Sequence, residues 1–507
     1  MRSSGSRKGA PRERAREEDF FEREEGVSGS ILEEILAAKR RRIAAGEFTA
    51  ETARARSRAG AGLFVASPDG ASFTAALSSS SNSFSKQNLL LSFLSEIKHR
   101  SPSAGLILPD ASSRIESVAC AYRRGGASAL SVVIEQDFFG GDPSWLPRAK
   151  AASGLPVLMK DFVVDEVQLD FAAALGADAV LLIVSALDGE TLSRLHGAAR
   201  SRGLAVLVEA HDETEIRRAL AVGAEVVGVN ARDLGTFAVD LPGMARLGAL
   251  LPPSVARVAE SGIKTRADVE TLSAAGYGAF LVGETLLRAA DPARALRELR
   301  GENATEIKIC GVTREEDVDT CMELGVDWIG LVFAARSPRR LTPERGIALK
   351  ERARTAKGIV AVFAESSEAE IQDVLDRVRP DVIQMPFRPL NHSKKPFSSD
   401  LPFWNTIRVG RDEIAEAGDR EGDALHFDTS VAGVSGGTGK TFDWTLLSAV
   451  DRSRPVILAG GLKPENVADA VRMVKPDVVD VASGVESAPG IKDRAKIAAF
   501  VREVRGV

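Results

Sequence analysis

At 507 residues, 44% of them hydrophobic, the chain is long enough for two or three domains with large cores. Its 66 basic and 71 acidic residues leave a net charge of -5, which excludes a broad electrostatic footprint for nucleic acid. No apolar run approaches the ~20 residues of a membrane span, and three cysteines (Cys120, Cys310, Cys321) without Cys-x-x-Cys spacing exclude a disulfide framework, so a reducing cytoplasm is the expected home.

Residues 1–30 carry seven basic and seven acidic side chains and almost no aliphatics. Such a segment cannot bury enough surface to offset its ordering entropy and is expected to be a disordered tail. From Ile31, "ILEEILAAKRRRIAAGE" has apolar residues at helical spacing, so folded protein begins there with a helical extension. After a polar loop, "SSSSNSFSKQ", apolar runs occur at 91–98, 129–135, 156–162, 179–184, 204–210, 225–230, 256–262 and 279–284. Each reads as a fully buried strand and is followed by a segment with helix-period charge, the signature of βα units in a parallel sheet. Eight units close a (β/α)8 barrel over residues 31–300.

Beyond the polar junction "LRELRGENAT" the rhythm restarts. "EIKICG", "WIGLVF", "IVAVFAE", "DVIQM", "FWNTIRV", "ALHFDT", "PVILAGG" and "DVVDVASG" supply eight more strands, so residues 304–507 form a second barrel. The fold class is α/β, two consecutive (β/α)8 TIM barrels, the first with an N-terminal helical extension. The "GGTGKT" after the sixth of these strands resembles a nucleotide-binding loop, but Val434 occupies the position where that motif needs its first glycine.

Function is read from the C-terminal strand ends, which face the substrate in such barrels. In the first half these carry Glu96 and Lys98, Lys160, Glu209, Asn230 with Arg232, and Glu260 with Ser261. Lysines and carboxylates converging on one mouth shift one another's pKa values, as acid–base chemistry requires, although a structural ion-pair network is the competing reading. Glycines after strands seven and eight let the backbone approach a phosphate. They are Gly262 and Gly283 in the first half and Gly460, Gly461 and Gly484, beside Ser483, in the second. Both halves are thus expected to take phosphorylated small molecules, with no metal site.

The motifs "SEIKHRSPSAG", "FFGG", "LMKDF", "LVEAHDE", "GVNARDL", "VAESGI" and "FLVGETL" together resemble indole-3-glycerol phosphate synthase. "IKICGVTREEDV", "SPRRLTPE", "GGTGKTFDW", "ILAGGLKPENV" and "VDVASGVESAPGIKD" are similar to phosphoribosylanthranilate isomerase. The resemblance implies a bifunctional tryptophan-biosynthesis enzyme that uses no cofactor. It casts Lys160 as general acid in ring closure, Glu209 in dehydration, and Lys98 and Glu96 as acid–base partners. Ser101, Asn230, Arg232 and Ser261 would bind substrate, Phe139 and Phe162 its aromatic ring, and Gly262, Gly283 and Glu284 its phosphate. In the isomerase half it implies Asp428 as acid, Cys310 as base and Arg339 as the carboxylate anchor, with Arg340 as its rival. The glycine-rich loop then covers a sugar phosphate. Pro386 stands where the isomerase family has a histidine, and an inserted stretch follows. A phosphate-binding or structural role for the second barrel is therefore the alternative.

Overall fold

The computed structural model describes residues 30–61, 68–78, 91–233, 236–386, 399–409, 421–429, 441–450 and 452–507. Residues 1–29 of the expected tail, most of the polar loop near residue 80, the GGTGK segment and residues 387–398 of the insertion lie outside the described residues.

Among the described residues, three helices precede the first barrel: α1 (Ile31–Ala44), α2 (Ala50–Ala61) and α3 (Gly70–Ser78). Ser30 and Glu33 form a reciprocal capping box that starts α1 one residue after the polar tail. Eight parallel strands follow: β1 (Ser92–Ile97), β2 (Ala129–Val133), β3 (Val157–Lys160), β4 (Ala179–Ile183), β5 (Ala205–Ala210), β6 (Val226–Asn230), β7 (Ala256–Glu260) and β8 (Ala279–Val282). β1 pairs with β2 and with β8, so the barrel is closed. The side chains of Phe73 and Leu77 from α3 join Leu94, Leu158, Leu207 and Val258 in the inner core, so α3 fills the barrel's interior from below.

The second closed barrel runs β9 (Glu306–Cys310), β10 (Trp328–Val332), β11 (Gly358–Val362), β12 (Val382–Met385), β13 (Phe403–Val409), β14 (Ala424–Thr429), β15 (Val456–Leu458) and β16 (Val478–Val481). The strands fall on the expected apolar runs, with β11 starting one residue earlier at Gly358, because a strand buried on both faces is built mainly from apolar residues. An aspartate immediately before a strand repeatedly accepts the backbone N–H at the start of the preceding strand. Asp178 takes Val157, Asp327 takes Ile307, Asp381 takes Ile359, Asp423 takes Phe403 and Asp477 takes Val456, at 2.7 to 3.0 Å. These carboxylates fix the register of neighbouring strands and satisfy N–H groups that begin no ladder.

Asp327 also joins the two barrels. Its carboxylate meets Arg297, in the last helix of the first barrel, at 3.1 Å, and Arg505, in the last helix of the second, at 2.9 Å. Burial raises its pKa, and the two guanidinium groups outweigh that and hold it below the ordinary carboxylate range. Arg124 donates to the Thr355 carbonyl at 2.9 Å and Lys357 pairs with Asp291 at 2.7 Å across the same junction. Asp327→Ala leaves Arg297 buried without its counter-charge, and we expect a loss of about 3–5 kcal/mol in denaturant unfolding. Unchanged stability would contradict the view that this cluster joins the barrels.

Candidate active sites

The C-terminal ends of β1, β3, β5 and β7 bring one lysine among three carboxylates. Lys160 Nζ lies 2.9 Å from Glu260, 3.6 Å from Glu209 and 3.8 Å from Glu96. Lys98 holds the other oxygen of Glu96 at 2.6 Å, as expected for residues two apart on one strand face. The three carboxylates are 1–3% exposed, so their charges are resolved within the cluster rather than by water.

Burial lowers the pKa of Lys160, and Glu260, Glu209 and Glu96 outweigh it and push it above the ordinary lysine value. The direction of the shift is set by the three carboxylates around the ammonium, which outweigh its desolvation. Burial also pushes Glu260 up, to about 8, with Glu209 adding to the effect against the pull of Lys160. Glu260 Oε1 is buried and has no donor, which favours a proton there. Glu209 and Glu96 stay below the ordinary carboxylate value, because their cationic partners outweigh burial. Gly228 on β6 is required beside this group, since a Cβ there would overlap the Glu260 carboxylate.

Around the cluster opens a cavity of about 1220 Å³. Ser101, Phe139, Phe162, Asn230, Arg232, Ser261, Gly262, Gly283 and Glu284 all line it, together with Glu96, Lys98, Lys160 and Glu209, so these candidates share one chamber. Asn230 donates to Glu209 at 3.0 Å and accepts the Arg232 N–H at 3.0 Å. The rings of Phe139 and Phe162 form one wall, their centroids 6.1 Å apart. Ser261 and Gly262 both adopt positive φ, 69° and 77°, turning the chain tightly after β7. Gly283 leaves no space for a side chain, because its Cβ would lie 2.6 Å from Glu96 Oε1. The Glu284 side chain pairs with Arg288 at 2.9 Å, which leaves its backbone rather than its carboxylate for an anion.

In the second barrel Cys310 ends β9 and is followed by Gly311 at φ 71°. Lys308, two residues earlier on the same face, reaches Asp480 at 2.6 Å, and Asp480 reaches His426 at 2.8 Å. His426 in turn meets Gln384 at 3.3 Å. As His426 also lies two residues before Asp428, this group forms a buried polar layer one step beneath Cys310 and Asp428. Burial raises the Cys310 thiol, Lys308 opposes the shift and Asp480 adds to it. The Lys308 cation beside the thiol is thus outweighed by burial. Burial likewise raises the Asp428 carboxyl. Asp480, also buried, is brought down to about 2, chiefly by Lys308 and then by His426.

Arg339, rather than the exposed Arg340, is the arginine at this mouth. Its guanidinium grips Glu486 through two hydrogen bonds of 2.8 and 2.6 Å, and it packs against Gly311, where a Cβ would clash with it. Lys492 links Glu486, at 2.8 Å, to the Cys310 carbonyl, at 2.6 Å. Gly460 and Gly461 have positive φ, 83° and 66°. Gly460 lies against Thr429 and Gly484 against Leu462, each too close for a side chain. Ser483 and Gly484 start a short helical turn after β16.

Sequence reading passed over Lys308, Asp480, His426 and Glu486, and underrated Glu260. Lys308 and Asp480 do interrupt apolar strands, a visible signal, but their partnership spans 172 residues.

Two closed parallel barrels with ionisable side chains gathered at the C-terminal strand ends define a tandem (β/α)8 enzyme built for acid–base chemistry. Two family models match: indole-3-glycerol phosphate synthase over residues 32–299 and N-(5'-phosphoribosyl)anthranilate isomerase over residues 307–503. The chain is 35% identical over 426 residues to the tryptophan biosynthesis protein TrpCF of Yersinia pestis, spanning 82% of this chain and 84% of that protein. It is 34% identical to TrpCF of Haemophilus influenzae, spanning 80% of this chain and 85% of the relative. The multifunctional tryptophan biosynthesis protein of Schizosaccharomyces pombe is 34% identical, and the match spans 81% of this chain but 59% of the yeast protein. The chain belongs to the family of bifunctional indole-3-glycerol phosphate synthase/phosphoribosylanthranilate isomerase proteins, with the synthase domain first. A merely structural second barrel finds no support in these matches.

Gly330 gives a direct test of the second mouth, because a Cβ there would lie 2.9 Å from Cys310 Sγ and 3.0 Å from Lys308 Cε. We expect Gly330→Ala to cut isomerase kcat/KM by about 100-fold through a displaced thiol, leaving ring closure unchanged. Retention of full isomerase activity would show that the position of Cys310 does not matter.

Proposed function

We propose that the barrels act in the reverse of chain order and that the residues above carry the chemistry. In the second barrel, Asp428 protonates the ribose ring oxygen of N-(5'-phosphoribosyl)anthranilate, and Cys310 removes the C2 proton from the resulting Schiff base. The product is 1-(2-carboxyphenylamino)-1-deoxyribulose 5-phosphate. Arg339 binds the anthranilate carboxylate, its planar fork suiting a bidentate contact, and Glu486 holds that fork in place. The residues at 460–461 and 483–484 receive the phosphate. The catalytic form needs a deprotonated thiol with a protonated carboxyl. Burial favours the second condition and opposes the first, which makes the Lys308 ammonium beside Cys310 important.

In the first barrel the anthranilate ring carbon attacks the ketone carbonyl, CO2 leaves, and loss of water gives indole-3-glycerol phosphate. Lys160 donates to the carbonyl oxygen as it gains charge. Its raised pKa keeps it a cation throughout the neutral range, and the proton it gives up is replaced from the Glu260 carboxyl, which has a pKa of about 8 and whose Oε2 lies 2.9 Å from the ammonium. Glu209, ionised and held by Asn230, takes the proton in the dehydration. Lys98 and Glu96 complete the relay, while Ser101, Arg232 and Ser261 hold the phosphorylated chain and Gly262, Gly283 and the Glu284 backbone face its phosphate. The carrying observation is the lysine set among three buried carboxylates in a chamber that also holds an aromatic wall. Polar phosphorylated substrates fit a cytoplasmic enzyme, and among the described residues no helix is long and apolar enough to cross a membrane.

Each half's substrate supplied separately to wild type, Cys310→Ala and Lys160→Ala divides the assignments. Anthranilate fluorescence follows the isomerisation, and indole-3-glycerol phosphate formation the ring closure. We expect Cys310→Ala to lose at least about 100-fold in isomerisation alone and Lys160→Ala a similar factor in ring closure alone. A wild type that closes the ring without isomerising would overturn the assignment for the second barrel.

A further inference from the structure

The helix α1 lies outside the barrel, yet one of its side chains reaches the site. Lys39 is 1% exposed, and its ammonium sits 2.7 Å from Asp161 and 3.9 Å from Glu135, both equally buried. The same ammonium also lies over the Phe48 ring, 5.2 Å from the centroid. In sequence Lys39 sits in a run of basic residues, "KRRR", and nothing marks it as the buried member.

The two carboxylates it touches organise the aromatic wall. Glu135 accepts the backbone N–H groups of Asp137, Phe138 and Phe139 at 3.1, 2.8 and 3.0 Å. Asp161, the residue after Lys160, accepts the N–H of Phe162 at 2.8 Å through the oxygen that also meets Lys39. One buried ammonium thus bridges the turn that carries Phe139 and the turn that carries Phe162. Ile31, Leu32 and Ile35 of the same helix line the chamber beside them. A buried cation between two carboxylates, one of whose oxygens (Asp161 Oδ2) has no donor, is a poor way to gain stability compared with apolar packing. It is an effective way to fix two loops in register.

We infer that Lys39 is a positioning residue of the ring-closure site: through Glu135 and Asp161 it sets the separation of Phe139 and Phe162, and so the slot that receives the substrate's aromatic ring. This rests on the synthase reading of the first barrel. It assigns α1 a role in substrate binding as well as in covering the barrel.

The test uses the full chain, whose isomerase activity reports folding from within the same molecule. Lys39→Met keeps the apolar stem and removes the charge. We expect isomerisation within about twofold of wild type and the KM of ring closure raised about tenfold, with a smaller fall in kcat. Lys39→Arg, which keeps the cation, should recover part of the loss. Phe162→Leu should raise the same KM, and the double variant should be no worse than the poorer single one, because both act on one slot. Multiplying losses, an unchanged KM in Lys39→Met, or a parallel fall in both activities would each overturn the inference. A wild type that fails to close the ring overturns the synthase reading and this inference together; wild-type ring closure with an unaffected Lys39→Met overturns the inference alone.

Discussion

Lys160 and the three carboxylates around it impose the main constraint on the first barrel. A cluster of that charge is costly to bury unless every member is held at short range, and the strands do the holding: Glu96, Lys160, Glu209 and Glu260 come from β1, β3, β5 and β7. Alternate strands contributing to one layer is the way a closed eight-strand barrel packs its interior. Glycines at 228 and 283 make room for the carboxylates. The aromatic slot, the Asn230–Arg232 turn and the tight bend at Ser261 are then arranged around a fixed charge centre.

The second barrel solves a related problem with a different balance. Its buried layer pairs Lys308 with Asp480 and His426, and the acid–base candidates sit one step nearer the mouth, where Cys310 and Asp428 are both raised by burial. Keeping the Lys308–Asp480 ion pair in one layer and the groups raised by burial in the next separates structural from reactive electrostatics. The same logic appears at the junction between barrels, where Asp327 closes a strand start and joins two helices at once.

Much of this was legible in the chain because a strand buried on both faces writes itself as an apolar run, and the polar residue that ends the run lies at the mouth. That reasoning located Glu96, Lys98, Lys160, Glu209 and Asn230, whereas Cys310 and Asp428 came from the resemblance to the isomerase family. Chemistry with a known relative added the roles. What stayed hidden depends on distant partners. Lys39 looks like its exposed neighbours Arg40 and Arg41, and only the fold buries it against Asp161. Arg339 and Arg340 are equivalent in sequence and are separated by which one can lie over Gly311. The direction of the Lys160 shift depends on a count of carboxylates that only the closed barrel assembles.

The central claim is that the first barrel keeps a proton on Glu260 beside a permanently charged Lys160. Carbon-13 NMR of glutamate carboxyls in the folded full chain, wild type against Glu260→Gln, reads this directly. The account predicts one carboxyl in the wild type that titrates near pH 8, well above the ordinary carboxylate range, and its disappearance in the variant. A wild type in which every carboxyl is already ionised within the ordinary carboxylate range would contradict it.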